Sequence, residues 1–274
     1  MGRVEMRKKG FTVVANWKMQ LSFKETIEYI SQNQEEFINL KRKNISVIVC
    51  PSFEVLYSTA LLLSKDDLDV SLGARPAPII EVGGQDCSAF KKGAYTGQVS
   101  AKSLFQVGCS SCIIGHNEQR QYACQRDEVI AQKAVELLEN GLKPIICIGE
   151  SLQNFENKKT CDVLENQLET VLSVIAESKA KKRDFYIAYE PVWAIGTGKR
   201  PSLEYVDEVI AWIDSLVVKK GVNQDLLGIL YGGSVVEKTV CEYTQLQKLS
   251  GFLVGGVSLD FQKFQNIVNL LSNI

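Results

Sequence analysis

The chain has a single histidine, His116, among 274 residues. A catalytic zinc is usually held by three protein ligands, with histidine the common nitrogen donor. One imidazole and no dense carboxylate cluster therefore argue against a metal centre, and no cofactor is expected. Other patterns are absent too. There is no G-x-G-x-x-G after the first strand-like run, no G-x-S-x-G and no H-E-x-x-H. "GTGKR" at 196–200 resembles the end of a P-loop, but the glycine five positions before Gly198 is missing and Arg200 stands where Ser or Thr belongs. No apolar run approaches the ~18 residues that read as a membrane span. Neither sign of charge dominates: 31 basic against 32 acidic residues leave a net charge of −1. Neither nucleic acid nor an anionic membrane is therefore an expected partner. The basic N-terminus leads only into a short strand-like run at 12–15, too short for a secretory signal. Gly2 lacks the Ser or Thr at position 6 that myristoylation needs. The expected compartment is the cytoplasm.

Cysteine, by contrast, is plentiful, with eight residues. A disulfide framework belongs to small secreted chains. Cys109-Ser110-Ser111-Cys112 is a C-x-x-C, but it runs into the apolar Cys112-Ile113-Ile114, which reads as a strand rather than as the helix start of a redox motif. Free, mostly buried thiols packing as small hydrophobes are expected.

Apolar residues make up 45% of the chain, enough for one large core, and one domain over 1–274 is expected. Short apolar runs at 12–18, 45–50, 79–83, 112–115, 144–148, 185–190, 227–231 and 251–254 read as strands. Several are nearly continuous, as parallel strands covered on both faces should be. Amphipathic segments lie between them. Residues 23–39 place Phe23, Ile27, Ile30, Phe37 and Ile38 near one face, and 126–140 place Val129, Ala134, Leu137 and Leu138 likewise, with Gly141 as a stop. Residues 161–176, 203–217 and 261–271 repeat the pattern. The fold class is α/β. Eight strands each followed by a helix can close into a (β/α)8 barrel. The rival is an open doubly wound sheet, which would favour the absent dinucleotide fingerprint.

Barrels of this kind carry their sites at the C-terminal ends of the strands. There the sequence puts Asn16-Trp17-Lys18, then Gly115-His116-Asn117-Glu118, then Glu190, then Gly232-Gly233-Ser234 and finally Gly255-Gly256. Each has a plainer reading alone: a glycine pair as a tight turn, a lone histidine as structural, Lys18 as a solvated charge. Glu190 resists one, because a buried carboxylate is costly unless paired or protonated. Glycines after strands seven and eight let backbone N–H groups approach an anion. One base, one cation and a phosphate cradle together describe an enzyme acting on a small phosphorylated carbonyl compound.

The motifs "ANWKM", "GAYTG", "IIGHNE", "CIGE", "AYEPVWAIGTGK", "ILYGGSV" and "GFLVGG" follow one another in the order of the triosephosphate isomerase family, and the chain resembles that family from residue 12 to 259. The resemblance implies a TIM barrel that interconverts dihydroxyacetone phosphate and D-glyceraldehyde 3-phosphate, a step of glycolysis and gluconeogenesis. By that likeness Glu190 is the base, His116 the electrophile, Lys18 a positive charge and Asn16 an amide donor, with Glu118 a further carboxylate near Lys18. Gly196, Ser234, Gly255 and Gly256 would hold the substrate phosphate. Pro191 and Gly198 would be hinges of a lid that carries Ile195 over Glu190, with Leu253 pressing from the other side. The family also implies a homodimer, with Thr96 on the loop that enters the neighbouring subunit.

Some positions depart from the family pattern. Gln119 and Gln98 stand where an arginine and a glutamate usually pair across the dimer. Asn117 replaces a serine beside the histidine, and Gln20 and Asp86 replace asparagines. Residues 66–78 lengthen the link before the third strand. Two other readings stay open. One is a different phosphate-binding barrel, such as another sugar-phosphate isomerase or an aldolase, and for an aldolase Lys18 would be the only strand-end Schiff-base lysine. The other is a barrel that has lost catalysis and serves as a scaffold, motivated by Asn117 and Gln119.

Overall fold

The computed structural model describes residues 10–41, 44–64, 75–197 and 199–274. Eight strands form one closed barrel: β1 (Phe11–Asn16), β2 (Ile45–Cys50), β3 (Glu81–Gly84), β4 (Ser111–Ile114), β5 (Lys143–Ile148), β6 (Phe185–Tyr189), β7 (Leu226–Tyr231) and β8 (Leu249–Val254). Each pairs in parallel with the next, and β8 returns to β1. The helices between them are α1 (Phe23–Gln32), α2 (Gln34–Asn39), α3 (Leu56–Leu62), α4 (Ala101–Gln106), α5 (Asn117–Tyr122), α6 (Asp127–Glu139), α7 (Leu152–Glu156), α8 (Thr160–Glu177), α9 (Leu203–Lys219), α10 (Glu237–Tyr243) and, after β8, α11 (Phe261–Ser272). No described helix is long and apolar enough to cross a membrane.

Both faces of each strand are buried, which is why the sequence runs are apolar without alternation. Val14, Ile48, Cys50, Ile113, Ile145, Cys147, Tyr186, Ala188, Leu230 and Leu253 fill the barrel interior as one cluster. Their neighbours along the strands, such as Val13, Val49, Ile114 and Ile187, pack outward with Ile130, Leu137, Leu168, Ile210 and Ile267 of the helices. Packing holds the helices more than capping does. α9 buries Val206, Val209, Ile210, Ile213, Leu216 and Val217. At about 1.5–3 kcal/mol per side chain this far exceeds the ~1 kcal/mol of its Ser202 cap. The two-residue period also aims the site. Asn16 lies two residues beyond inward-facing Val14, and Glu190 two beyond Ala188, so both continue the interior series at the barrel's mouth.

The structure corrects several expectations. The single helix over 23–39 is two, broken at Asn33 (φ −123°, ψ 21°), whose Nδ2 donates to the Tyr29 carbonyl at 2.8 Å and ends the first helix. Phe23 opens α1 directly after the Ser22 cap and is 53% exposed, while Thr26 and Ile30 take the buried face. In α6 the buried stripe runs through Ile130 and Ala131, leaving Val129 half-buried. The third strand begins at Glu81, not at 79, because Pro78 bridges Ser64 and the Ile79 N–H donates to Leu63 O at 2.8 Å. Much of the 66–78 link lies outside the described residues. Gly141 does end α6, at φ +73°. All eight cysteines are free and five are buried, Cys109 and Cys112 among them.

Candidate active site

The first strand stops at Asn16, two residues short of the expected 18, because Lys18 turns out of it at φ +52°. A non-glycine residue held there costs on the order of 1–3 kcal/mol. Three contacts hold it. The Lys18 N–H donates to Asn16 Oδ1 at 3.0 Å, and its carbonyl accepts from Ser52 Oγ at 3.2 Å and from Gln85 Nε2 at 2.7 Å. Gln85 also donates to Cys50 O at 3.0 Å. The Lys18 ammonium then meets Glu118 Oε1 at 2.7 Å.

After β4, Gly115 turns at φ +69° and His116 caps α5. Its Nδ1 accepts the Glu118 backbone N–H at 3.3 Å. That bond specifies the neutral ring, with its proton on Nε2, which lies 3.3 Å from Glu190 Oε1. Burial opposes charging the ring, but the Glu190 and Glu118 carboxylates outweigh it and raise the imidazole's proton affinity above the ordinary value.

Glu190 lies one residue past β6 rather than at its end, although its N–H still donates to Ile148 O at 2.8 Å. Two glycines make room for it. A methyl group on Gly149 would stand 1.8 Å from the Glu190 carbonyl oxygen, and one on Gly232 would stand 2.7 Å from its Cγ. Glu190 is 3% exposed, and its Oε2 has no hydrogen-bond partner among the described residues. Pro191 leads into a 3-10 turn at Val192–Ala194, followed by Ile195 and by Gly196 at φ +66°. Buried Glu150 anchors this arm. Its Oε1 accepts from Trp193 Nε1 at 2.8 Å, Tyr189 OH at 3.2 Å and Tyr205 OH at 3.4 Å.

These strand ends surround a pocket of about 360 Å³. Asn16, Lys18, His116, Glu190, Ile195, Gly196, Ser234, Leu253, Gly255 and Gly256 all line it. Glu118 and Pro191 do not line it, and Gly198 lies outside the described residues. The glycine pairs divide their work. Gly256 has open space where a side chain would be, facing the pocket, whereas a methyl group on Gly233 would meet the Tyr231 hydroxyl at 2.2 Å. The pair after β7 is thus needed for packing as well as for access. Sequence reasoning gave no role to Gln85, Ser52, Gly149 or Glu150. Glu150 and Gly149 sit within the quoted "CIGE", which was the available signal.

The departures find partners within the chain. Gln98 Oε1 accepts from Ser88 Oγ at 2.6 Å, and Gln119 Oε1 from Gln125 Nε2 at 2.9 Å. Asp86 pairs with Lys133. Asn117 is the first residue of α5 and half-buried, Gln20 is exposed, and Thr96 lies in an exposed stretch over 90–98.

A buried carboxylate beside an imidazole can take a proton from carbon next to a carbonyl, and a nearby ammonium and amide can stabilise the oxyanion that results. A family model described as triosephosphate isomerase matches residues 11–271. The chain is 36% identical over 260 residues to the triosephosphate isomerase of Alkaliphilus metalliredigens, covering 94% of this chain and 98% of that one. It is 36% identical over 257 residues to those of Aquifex aeolicus and Corynebacterium glutamicum, covering 93% of this chain and 97% and 95% of theirs.

Proposed function

The chain belongs to the triosephosphate isomerase family, an isomerase of dihydroxyacetone phosphate and D-glyceraldehyde 3-phosphate, and from that premise we propose how its residues divide the reaction. Glu190 takes the proton from the carbon beside the substrate carbonyl and returns it to the neighbouring carbon. His116 lends its Nε2 proton to the substrate oxygens as the enediolate forms and collapses; a neutral histidine in this role is known for the family. Lys18 and Asn16 face the developing negative charge, and Glu118 fixes the Lys18 ammonium. The carrying observation is the 3.3 Å approach of His116 Nε2 to Glu190 Oε1 inside a pocket that also holds Lys18.

The substrate phosphate sits on the opposite wall, against Gly196, Ser234, Gly255 and Gly256, where a 3-10 turn at Gly256–Leu259 starts. Backbone N–H groups at such a start bind anions. Residues 191–198 act as a lid, as is known for the family. Pro191 stiffens its first hinge, Gly196 and Gly198 supply the second, and Ile195 and Leu253 exclude water from Glu190. A desolvated carboxylate is the stronger base.

A homodimer fits the surface around Thr96. Residues 90–98 are exposed, Phe90 stacks on Tyr95 at 4.0 Å in that loop, and Phe53 and Phe90 line a second pocket of about 360 Å³ beside it. A neighbour's loop would cover these rings. Sedimentation as a monomer at micromolar concentration would end that reading. Eight unpaired thiols suit a reducing cytoplasm.

The test of the site is isomerisation of glyceraldehyde 3-phosphate by the purified protein, with chelator present and Glu190→Ala alongside. Fast, chelator-insensitive turnover that is lost in the variant supports the assignment. Turnover that survives Glu190→Ala removes Glu190 as the base.

A further inference from the structure

Phe155 covers one face of the Trp193 indole. The ring centroids are 4.5 Å apart and the planes lie within 28°. Phe155 also meets Tyr205 edge-on at 5.1 Å and 84°. Tyr205 is itself held, its hydroxyl 2.8 Å from Thr160 Oγ1 and donating to Glu150. Phe155 is half-buried. It lies on α7, a helix of 5 residues with none buried, and it is outside the barrel core. It also lines an open groove of about 570 Å³ with Val209 and Trp212. The aromatic contacts of this ring are Trp193, at the start of the proposed lid, and Tyr205.

Trp193 is the middle residue of the 3-10 turn between Pro191 and Ile195. Its Nε1 donates to Glu150 Oε1 at 2.8 Å, so the indole is held by that bond and by the Phe155 stack together. We propose that Phe155 is a positioning residue for the lid: its stack fixes the Trp193 plane and so places Ile195 and Gly196 against the pocket that holds Glu190. The inference rests on residues 191–198 acting as a lid. An offset aromatic pair corresponds to roughly a two- to tenfold change in an equilibrium. Closure follows substrate binding, so the loss falls on kcat more than on KM.

The experiment uses the full chain labelled with 5-fluorotryptophan, which gives three resonances for Trp17, Trp193 and Trp212, the second assigned with Trp193→Phe. Phe155→Ala, Phe155→Leu and Phe155→Tyr are compared with the parent, with and without 2-phosphoglycolate. Expected is a Trp193 resonance that moves when the analogue binds the parent. In Phe155→Ala and Phe155→Leu that resonance is displaced or broadened before binding, kcat falls several-fold, KM changes less than twofold and the urea midpoint stays near the parent's. Phe155→Tyr, which keeps the stack, restores both resonance and kcat. If the parent resonance responds to the analogue but Phe155→Leu alters neither it nor kcat, the lid stands and the role of Phe155 is overturned. If the parent resonance ignores the analogue, the lid reading fails and takes this inference with it.

Discussion

Lys133 Nζ lies 2.7 Å from each carboxylate oxygen of Asp86, and Gln125 Nε2 donates to Oδ2 at the same distance. The two charged side chains are only 5% and 14% exposed. Asp86 directly follows Gln85, so this ion pair ties the buried face of α6 to the turn that braces Lys18. The family's usual residue at 86 is neutral. Reverting to it here strands a buried ammonium, and breaking a buried pair from one side costs about 3–5 kcal/mol. Asp86→Asn should therefore lower the urea-unfolding free energy by about that amount, and adding Lys133→Met should recover most of it. A single variant as stable as the parent would show that the pair contributes nothing.

Gln85 reaches the pocket through backbone alone. It donates to the carbonyls of Lys18 and Cys50 at 2.7 and 3.0 Å, and Lys18 sits in a left-handed conformation that needs such support. Gln85→Ala should leave the chain folded but let Lys18 relax. Each carbonyl keeps one other donor, Ser52 Oγ for Lys18 and the Trp17 N–H for Cys50, so the loss is that of ordinary hydrogen bonds at about 0.5–1.5 kcal/mol each, and kcat/KM should fall roughly two- to tenfold. Gln85→Glu, which cannot donate when ionised, should do no better. Steady-state kinetics that match the parent in both variants would remove Gln85 from the site's support.

The thiols divide by burial. Burial pushes the Cys109 thiol up to about 12, and those of Cys50, Cys112 and Cys147 well above the usual range. Cys124, Cys161 and Cys241 are exposed. Iodoacetamide should alkylate those three in the native protein and all eight only after unfolding, as counted by intact mass and peptide mapping. Rapid native labelling of Cys109 or Cys112, or a disulfide between them, would restore the redox reading of the C-x-x-C that the strand setting of Cys112 argues against.

The barrel was legible because parallel strands buried on both faces leave continuous apolar runs, and because α6, α8, α9 and α11 are long enough to display a stripe. Helices such as α5 and α7, with 6 and 5 residues, span fewer than two turns and show no period. The break at Asn33 depends on an amide folding back on the Tyr29 carbonyl, which no hydrophobic pattern records. At the site, the residues that line the pocket were readable by type and by their place at strand ends. The residues that hold them were not. Gln85 acts on a carbonyl 67 positions away, and Asp86 finds its counter-ion 47 positions away on a helix where a lysine reads as solvated. Such contacts exist only once the chain has closed.

Because His116 is the only histidine, its titration can be followed without assignment, and two opposite pH dependences should appear. Burial opposes protonation, and Glu190, followed by Glu118, raises the imidazole above its ordinary 6.5 in the empty pocket. A raised folded-state value means that the His116–Glu190 attraction stabilises the fold fully below about pH 6.5 and is lost as pH rises through the folded value. Activity runs the other way. The neutral ring that accepts the Glu118 N–H and keeps its proton on Nε2 is present only above that value, so kcat/KM should fall on the acid side with the free enzyme's His116 midpoint. Nitrogen NMR of the one imidazole should give that midpoint directly. In Glu190→Gln the attraction is gone while the burial remains, so the midpoint should move down, and the stability difference between parent and variant should shrink as pH rises. Equal midpoints in the two proteins would mean that Glu190 does not set the charge of His116, and the division of labour between base and electrophile would then need another origin than their 3.3 Å approach.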